Sequence, residues 1–294
     1  MSGLPRLGWI GLGAMGGPMA RVALERGHAV DGYDVAEPAR AALAAAGGGV
    51  VASPAAAGAA ADVLVLMVAT PSQAESALFG EHGAAAALRS GSVVLLMGTL
   101  GDEAVRDWAE RLAGSGVRIV DAPVSGGVAR AAAGELLVMA SGTAADLDLV
   151  APLLDALAST VAIVGEQPGD GQRMKLVNQL LCGVHIVAAA EALSFAESLG
   201  LDARAAWEVV RHGAAGSFML DDRGARMFEE DPPVRSAVDI FVKDMGLVVA
   251  AAEAAGHDPL LARAAEDVYR RASAAGLGRA DDSQVLRLYR GRNS

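Results

Sequence analysis

Apolar positions fall in short unbroken runs through the first half of the chain and at helical spacing through the second. Leu7, Gly8, Trp9 and Ile10 make the first run, residues 62–68, 92–97 and 117–120 repeat the pattern, and the more polar residues 28–34 form a second strand. Runs of this length, bounded by glycine, proline or serine, read as buried strands, and the stretches between them read as helices. Residues 134–140 and 160–164 add two more strands around a helix. Such alternation up to about residue 165 predicts a doubly wound α/β sheet. After Gly169 the texture changes: residues 202–212, 237–255 and 259–275 read as helices, and no alternating strand pattern returns. The expected organisation is an α/β domain over residues 1–165, then an all-α domain over 166–294, joined by a long interdomain helix running from Gly169 to about Leu199. From Leu180 to Ala196 that helix is apolar nearly all round, which suits burial between domains or subunits, so a homodimer or homotetramer is expected.

Composition narrows the partners. With 294 residues and 53% hydrophobic content the chain can build sizeable cores. A net charge of −11 leaves no basic field for nucleic acid or an anionic membrane surface, so a small-molecule partner fits better. Residues 50–69 contain Ser53, Pro54 and Asp62 and do not read as a membrane span, and residues 1–6 do not read as a signal peptide. A single cysteine, Cys182, in an apolar helical run is expected to be a buried inert thiol and suits a reducing cytoplasm. The five histidines are scattered without metal-ligand spacing, and neither a metal site nor a serine-hydrolase motif is expected.

Candidate chemistry starts at Gly11-Leu12-Gly13-Ala14-Met15-Gly16, a G-x-G-x-x-G between a strand and a helix. In that setting the glycines let backbone N–H groups approach a pyrophosphate, which makes the domain a Rossmann-type NAD site. Asp34 closes the second strand, 18 residues after Gly16, where a carboxylate accepts from ribose hydroxyls and repels a 2′-phosphate; that points to NAD over NADP. Met67 and Thr99 lie at carboxyl ends of later strands, where open sheets bind ligands. Thr99 suits equally well the capping of a helix beginning near Asp102. Asp121-Ala122-Pro123-Val124-Ser125-Gly126-Gly127 is either a plain turn or a loop whose hydroxyl and N–H groups hold a carboxylate.

Lys175 stands out because 22 of the 24 basic residues are arginine, and the other lysine is Lys243. Arginine stays charged, whereas a lysine among apolar neighbours can exchange protons near neutrality. Asn178 lies one helical turn on, at i+3, and apart from Asn293 it is the only asparagine. Lys243-Asp244 sits inside a long helix.

The glycine turn, the Asp121–Gly127 loop, the helix start Gly171-Gln172-Arg173-Met174-Lys175-Leu176-Val177-Asn178 and the Lys243-Asp244 pair together resemble the β-hydroxyacid dehydrogenase family. Residues 178–186, 235–244 and 278–283 resemble its threonate-oxidising subgroup, which shares Gln179, although Gly216 stands where that subgroup would have asparagine. The resemblance implies that Lys175 is the catalytic lysine and that Ser125, Gly126 and Gly127 hold the substrate carboxylate. Asn178 would contact the hydroxyl being oxidised, and Thr99 and Lys243 would contact NAD. The implied reaction is oxidation of a small polyhydroxy acid, with threonate first and 3-hydroxyisobutyrate or tartronate semialdehyde as alternatives. A non-catalytic NAD-binding scaffold and an imine reductase are the rival classes.

Overall fold

The computed structural model describes residues 4–291; Met1 to Gly3, half of the segment read as lacking a signal peptide, and Asn293 lie outside them. Nine strands form one sheet: β1 Leu7–Ile10, β2 Val30–Tyr33, β3 Gly49–Val50, β4 Val63–Leu66, β5 Val93–Leu96, β6 Arg118–Asp121, β7 Val124–Ser125, β8 Leu136–Ser141 and β9 Ala158–Gly165. Their order is β3-β2-β1-β4-β5-β6, all parallel, after which β8 pairs antiparallel with β6 and carries β7 and β9. The first six follow the order of a dinucleotide-binding sheet.

The helices of this half are α1 Gly16–Glu25, α2 Glu37–Ala45, α3 Pro54–Gly58, α4 Pro71–Phe79, α5 Asp102–Ala113, α6 Gly127–Ala133 and α7 Ala144–Leu157. Side chains alternate across a strand, so each strand feeds two layers. Trp9, Val63, Val65, Val93 and Leu95 pack with Met19, Val150 and Leu153 on one face. Ile10, Leu64, Leu66, Val94 and Leu96 pack with Leu78, Val105 and Trp108 on the other. Unbroken apolar runs in the sequence are the consequence, because both faces are covered.

Two details differ from the sequence expectation. The stretch after Asp121 is more than a turn: Val124 and Ser125 pair antiparallel with β8, and α6 begins at Gly127. A two-residue strand is too short to show a period. Thr99 does not cap α5 either; the N-cap position is Gly101, with no side-chain cap.

The remaining helices are α8 Asp170–Ser198, α9 Ala203–Val210, α10 Phe218–Met227, α11 Val238–Ala254, α12 Leu260–Ala272 and α13 Leu286–Arg290. Contacts divide the chain into two compact units, one ending at Lys175 and the other beginning at Leu176, so the division falls inside α8. The second unit packs Ile186, Ala190 and Leu193 of α8 with Trp207, Phe241, Met245 and Tyr269. By length and composition α8 is apolar enough to cross a membrane, and half of its most apolar window is buried, as in a core helix.

Candidate active site

The glycine turn is built by close packing at two of its glycines and by something else at the third. A Cβ on Gly11 would lie 2.3 Å from the Met67 carbonyl oxygen, and one on Gly16 would lie 2.0 Å from the Gly11 oxygen. Both approaches exclude any side chain. A Cβ on Gly13 would meet no protein atom within 4 Å, although Gly13 and Ala14 sit exposed at the tip. The space beside Gly13 is therefore open, as a backbone that approaches a pyrophosphate requires. Leu12 and Met15 point inward: Leu12 is buried, and Met15 packs on the core ahead of α1. The Leu12 N–H donates to Asp34 Oδ2 at 2.7 Å and the Ala36 N–H donates to Oδ1 at 2.8 Å. Each carboxylate oxygen keeps acceptor capacity for a ribose hydroxyl. These residues fit a dinucleotide. Gly13→Ala is expected to leave thermal stability within about 2 °C of wild type while weakening NADH binding at least roughly tenfold, as read by scanning calorimetry and fluorescence titration. Unchanged NADH affinity would refute the cradle.

The start of α8 is the second part. Its first N–H groups have no intrahelical partners, and strand ends supply them. Asp121 Oδ2 accepts from the Gly169 N–H at 3.1 Å and from the Gln172 N–H at 2.8 Å, and Ser141 Oγ accepts from the Gly171 N–H at 3.0 Å. Asp121 and Ser141 are cross-strand partners of β6 and β8. A Cβ on Gly171 would lie 2.7 Å from the carbonyl oxygens of both Asp121 and Met139, so only glycine lets the helix begin this close to the sheet. The Gln172 side chain, with no exposed surface, donates to Asp121 Oδ1 at 2.7 Å and to the Gly98 oxygen at 3.1 Å. Its Oε1 accepts from the N–H groups of Leu100 at 2.7 Å and Gly101 at 3.1 Å. One turn later Lys175, 6% exposed, donates from Nζ to the Val124 oxygen at 2.7 Å. The lysine thus lies beside the Ser125-Gly126-Gly127 turn, and Gln172 holds the segment that carries Thr99. Ser125, Gly126, Gly127 and Thr99 are all half-buried.

Burial pushes the Asp121 carboxyl up to about 6, against the hydrogen bonds from the Gln172 side chain and from the Gln172 and Gly169 backbones. Raised above its ordinary 3.8, it makes the folded chain bind this proton more tightly than the unfolded chain. Its contribution to stability is then greatest below pH 3.8 and declines as pH rises to about 6. The stability advantage of wild type over Asp121→Asn should shrink between pH 4 and 6 by about 2 kcal/mol in urea unfolding. An advantage that stays constant with pH would contradict that shift.

In the second unit, Asn178 Nδ2 donates to Gln179 Oε1 at 2.9 Å and to Cys182 Sγ at 3.3 Å. Gln179 Nε2 donates to Asp244, whose other oxygen lies 2.8 Å from Lys243 Nζ. Cys182 is a buried free thiol. Among the described residues no group of three or more histidine, cysteine, aspartate or glutamate side chains could hold a metal.

The structure thus brings Lys175, the Ser125–Gly127 turn and the Thr99 segment together, and it places Gly11 to Gly16, Asp34 and Met67 around one turn of the same unit. Asn178 and Lys243 belong to a polar chain of the second unit. Sequence reasoning assigned no role to Asp121, Ser141 or Gln172. Asp121 and Gln172 stood within two of the quoted motifs, but their contacts cross 51 residues of sequence. Ser141, on β8, carried no signal.

Residues 6–165 match the family model described as the NAD binding domain of 6-phosphogluconate dehydrogenase. Residues 169–289 match the one described as NAD-binding of NADP-dependent 3-hydroxyisobutyrate dehydrogenase. L-threonate dehydrogenase of Cupriavidus necator is 41% identical over 285 residues, covering 97% of this chain and 96% of that protein. The crystal structure of 3-hydroxyisobutyrate dehydrogenase from Salmonella typhimurium superposes with a TM-score of 0.91 at 39% identity, covering 96% of this chain and 99% of that one. An imine reductase of Streptomyces aurantiacus, at 24% identity and TM-score 0.66 over 96% of this chain and 99% of that one, shares the fold alone. A glycine turn fitted to a dinucleotide, a buried lysine beside the Ser125-Gly126-Gly127 turn of the same unit and matches that span both halves place this chain in the β-hydroxyacid dehydrogenase family, the NAD-dependent oxidoreductases acting on CH–OH groups.

Proposed function

We propose that the protein oxidises L-threonate at a carbinol to the 2-oxo acid, with Lys175 as general base. The observation that carries this reading is the buried Lys175 amine, held 2.7 Å from the Val124 oxygen and one residue from the Ser125-Gly126-Gly127 turn. Ser125, Gly126 and Gly127 hold the substrate carboxylate, which sets the neighbouring hydroxyl toward Lys175. Lys175 takes the hydroxyl proton, directly or through a water, and Asn178, one turn along α8, contacts the same hydroxyl. NAD, when bound, accepts the carbinol hydride. Gly11 to Gly16 and Asp34 bind it, and Met67, Thr99 and Lys243 complete its contacts.

Threonate is favoured over shorter acids by the 41% identity to the Cupriavidus necator protein over nearly the whole chain. Residues 1–165 serve as the NAD-binding domain and 166–294 as the substrate and dimerisation domain, in a cytoplasmic homo-oligomer. Val177, Leu181 and Phe195 of α8 and Leu199 just after it, all at least half exposed, are apolar surface for a second copy to cover.

The test is turnover with NAD and with NADP on L-threonate, D-threonate, erythronate, glycerate and 3-hydroxyisobutyrate. The highest kcat/KM is expected for L-threonate with NAD. A preference for 3-hydroxyisobutyrate or glycerate would reassign the substrate, and faster turnover with NADP would overturn the reading of Asp34. Tight NADH binding without turnover of any hydroxy acid would leave a non-catalytic scaffold.

A further inference from the structure

We propose that Gln172 is a positioning residue, a buried carboxamide that fixes the Lys175 helix, the Thr99 segment and the Ser125 turn in one relative geometry. This rests on the reading of Lys175 as the general base. Gln172 has four polar partners from two other segments, Gly98 oxygen, Leu100 N–H, Gly101 N–H and Asp121 Oδ1, and no exposed surface. Thr99 lies between the first two partners. Asp121 lies three residues before Val124, the residue whose oxygen receives the Lys175 amine.

The polarity of this network is fixed in one direction. Oε1 must face two N–H donors, and Nε2 must face a carbonyl oxygen and a carboxylate, so a flipped amide would oppose like to like at all four contacts. Helix α8 therefore has one azimuth at its first turn. Lys175, at i+3 from Gln172, lies on the same face and inherits that azimuth. A structural glutamine would need only to fill its cavity. This one couples the lysine to a segment that reaches it from 71 to 74 residues away.

Gln172→Met keeps the length and removes every hydrogen bond. It is expected to bind NADH, to lose roughly 10²-fold in kcat, and to show the acidic limb of its pH–rate profile displaced by at least about half a pH unit, because the base sits in altered surroundings. Loss of packing alone would lower thermal stability without moving that limb. A folded Gln172→Met enzyme with wild-type kcat and a superimposable profile overturns the proposal.

Exchanging the pair keeps the proposal testable if that variant does not fold. Gln172→Glu sets two carboxylates against each other and should lose activity. Adding Asp121→Asn restores a donor between the two side chains, and the asparagine oxygen still accepts from Gly169 and residue 172, while the new carboxylate opposes the Gly98 oxygen in both variants and makes the recovery partial. At least about tenfold recovery of kcat in the double variant relative to Gln172→Glu supports the proposal, and no recovery overturns it. Lys175→Met separates the two readings: an inactive Lys175→Met beside a wild-type-like Gln172→Met sinks only the positioning role, whereas an active Lys175→Met sinks the catalytic reading itself.

Discussion

Replacing Lys175 by methionine is expected to lower kcat by roughly 10²- to 10⁴-fold, the range a positioned general base supplies, with NADH affinity close to wild type. Methionine matches the length of the lysine stem but neither accepts nor returns a proton. Its cost to folding is bounded: the Val124 oxygen loses its Lys175 partner, which for a buried carbonyl is about 1–3 kcal/mol. The Leu12–Asp34 and Gln172–Asp121 hydrogen bonds are made by other groups than the amine. Lys175→Arg sharpens the test. Arginine retains the positive charge and donor capacity, so a site needing only electrostatic attraction for a carboxylate would keep much of its rate. A site needing a group that deprotonates would lose it, because guanidinium holds its proton at any working pH. Both variants should be nearly inactive, and kcat and kcat/KM should fall together, since the interaction removed is one made in the transition state. Lys175→Met turning over within a few-fold of wild type would end the proton-transfer role.

How much of this was legible beforehand depends on the range over which each contact acts. The first-half strands announced themselves because both sheet faces are buried, which leaves no polar residue to break a run such as Val63–Leu66. The G-x-G-x-x-G read correctly because its requirements are local: Gly11, Met67 and Gly16 meet within one βα unit and the strand next to it. Lys175 was visible through scarcity, as one of two lysines among 24 basic residues. Asp121, Ser141 and Gln172 were not readable as a set. Their meeting is created by sheet order, since β6 is paired by β8 rather than by the strand next in sequence, and no local spacing encodes that. The two-residue β7 was missed for a related reason: a strand that short has no period, and only its pairing with β8 defines it.

In the second unit the largest effect on stability is expected from Arg223→Ala, at about 3–5 kcal/mol, the cost of leaving one partner of a buried ion pair uncompensated. Arg223 lies on α10 and grips Asp282 in two-pronged fashion, Nε to Oδ1 at 3.1 Å and Nη2 to Oδ2 at 2.9 Å, with Asp282 fully buried. Burial already raises the Asp282 carboxyl above its ordinary range, and Arg223 is the strongest influence opposing that rise. Alanine removes the opposition, so the folded-state carboxyl rises further while the unfolded value stays put. The sign follows from linkage: the variant's folded state binds the proton more tightly, so its deficit against wild type is greatest near neutrality and shrinks as pH falls toward the unfolded value. Urea unfolding at pH 7 and pH 5, followed by fluorescence of Trp207 in this unit, measures both quantities. Replacing the pair together, Arg223→Met with Asp282→Leu, should cost far less than Arg223→Ala alone, because apolar groups of similar size need no compensation. The consequence reaches the start of α11, the helix of Lys243 and Asp244. Val238 N–H donates to the Ala280 oxygen at 3.0 Å and Asp282 N–H donates to the Ser236 oxygen at 2.7 Å, so the segment that Arg223 anchors also holds the first turn of that helix. A deficit below about 1 kcal/mol, equal at both pH values, would mean that Arg226, whose Nη2 lies 3.9 Å from Asp282 Oδ1, compensates the carboxylate when Arg223 is gone.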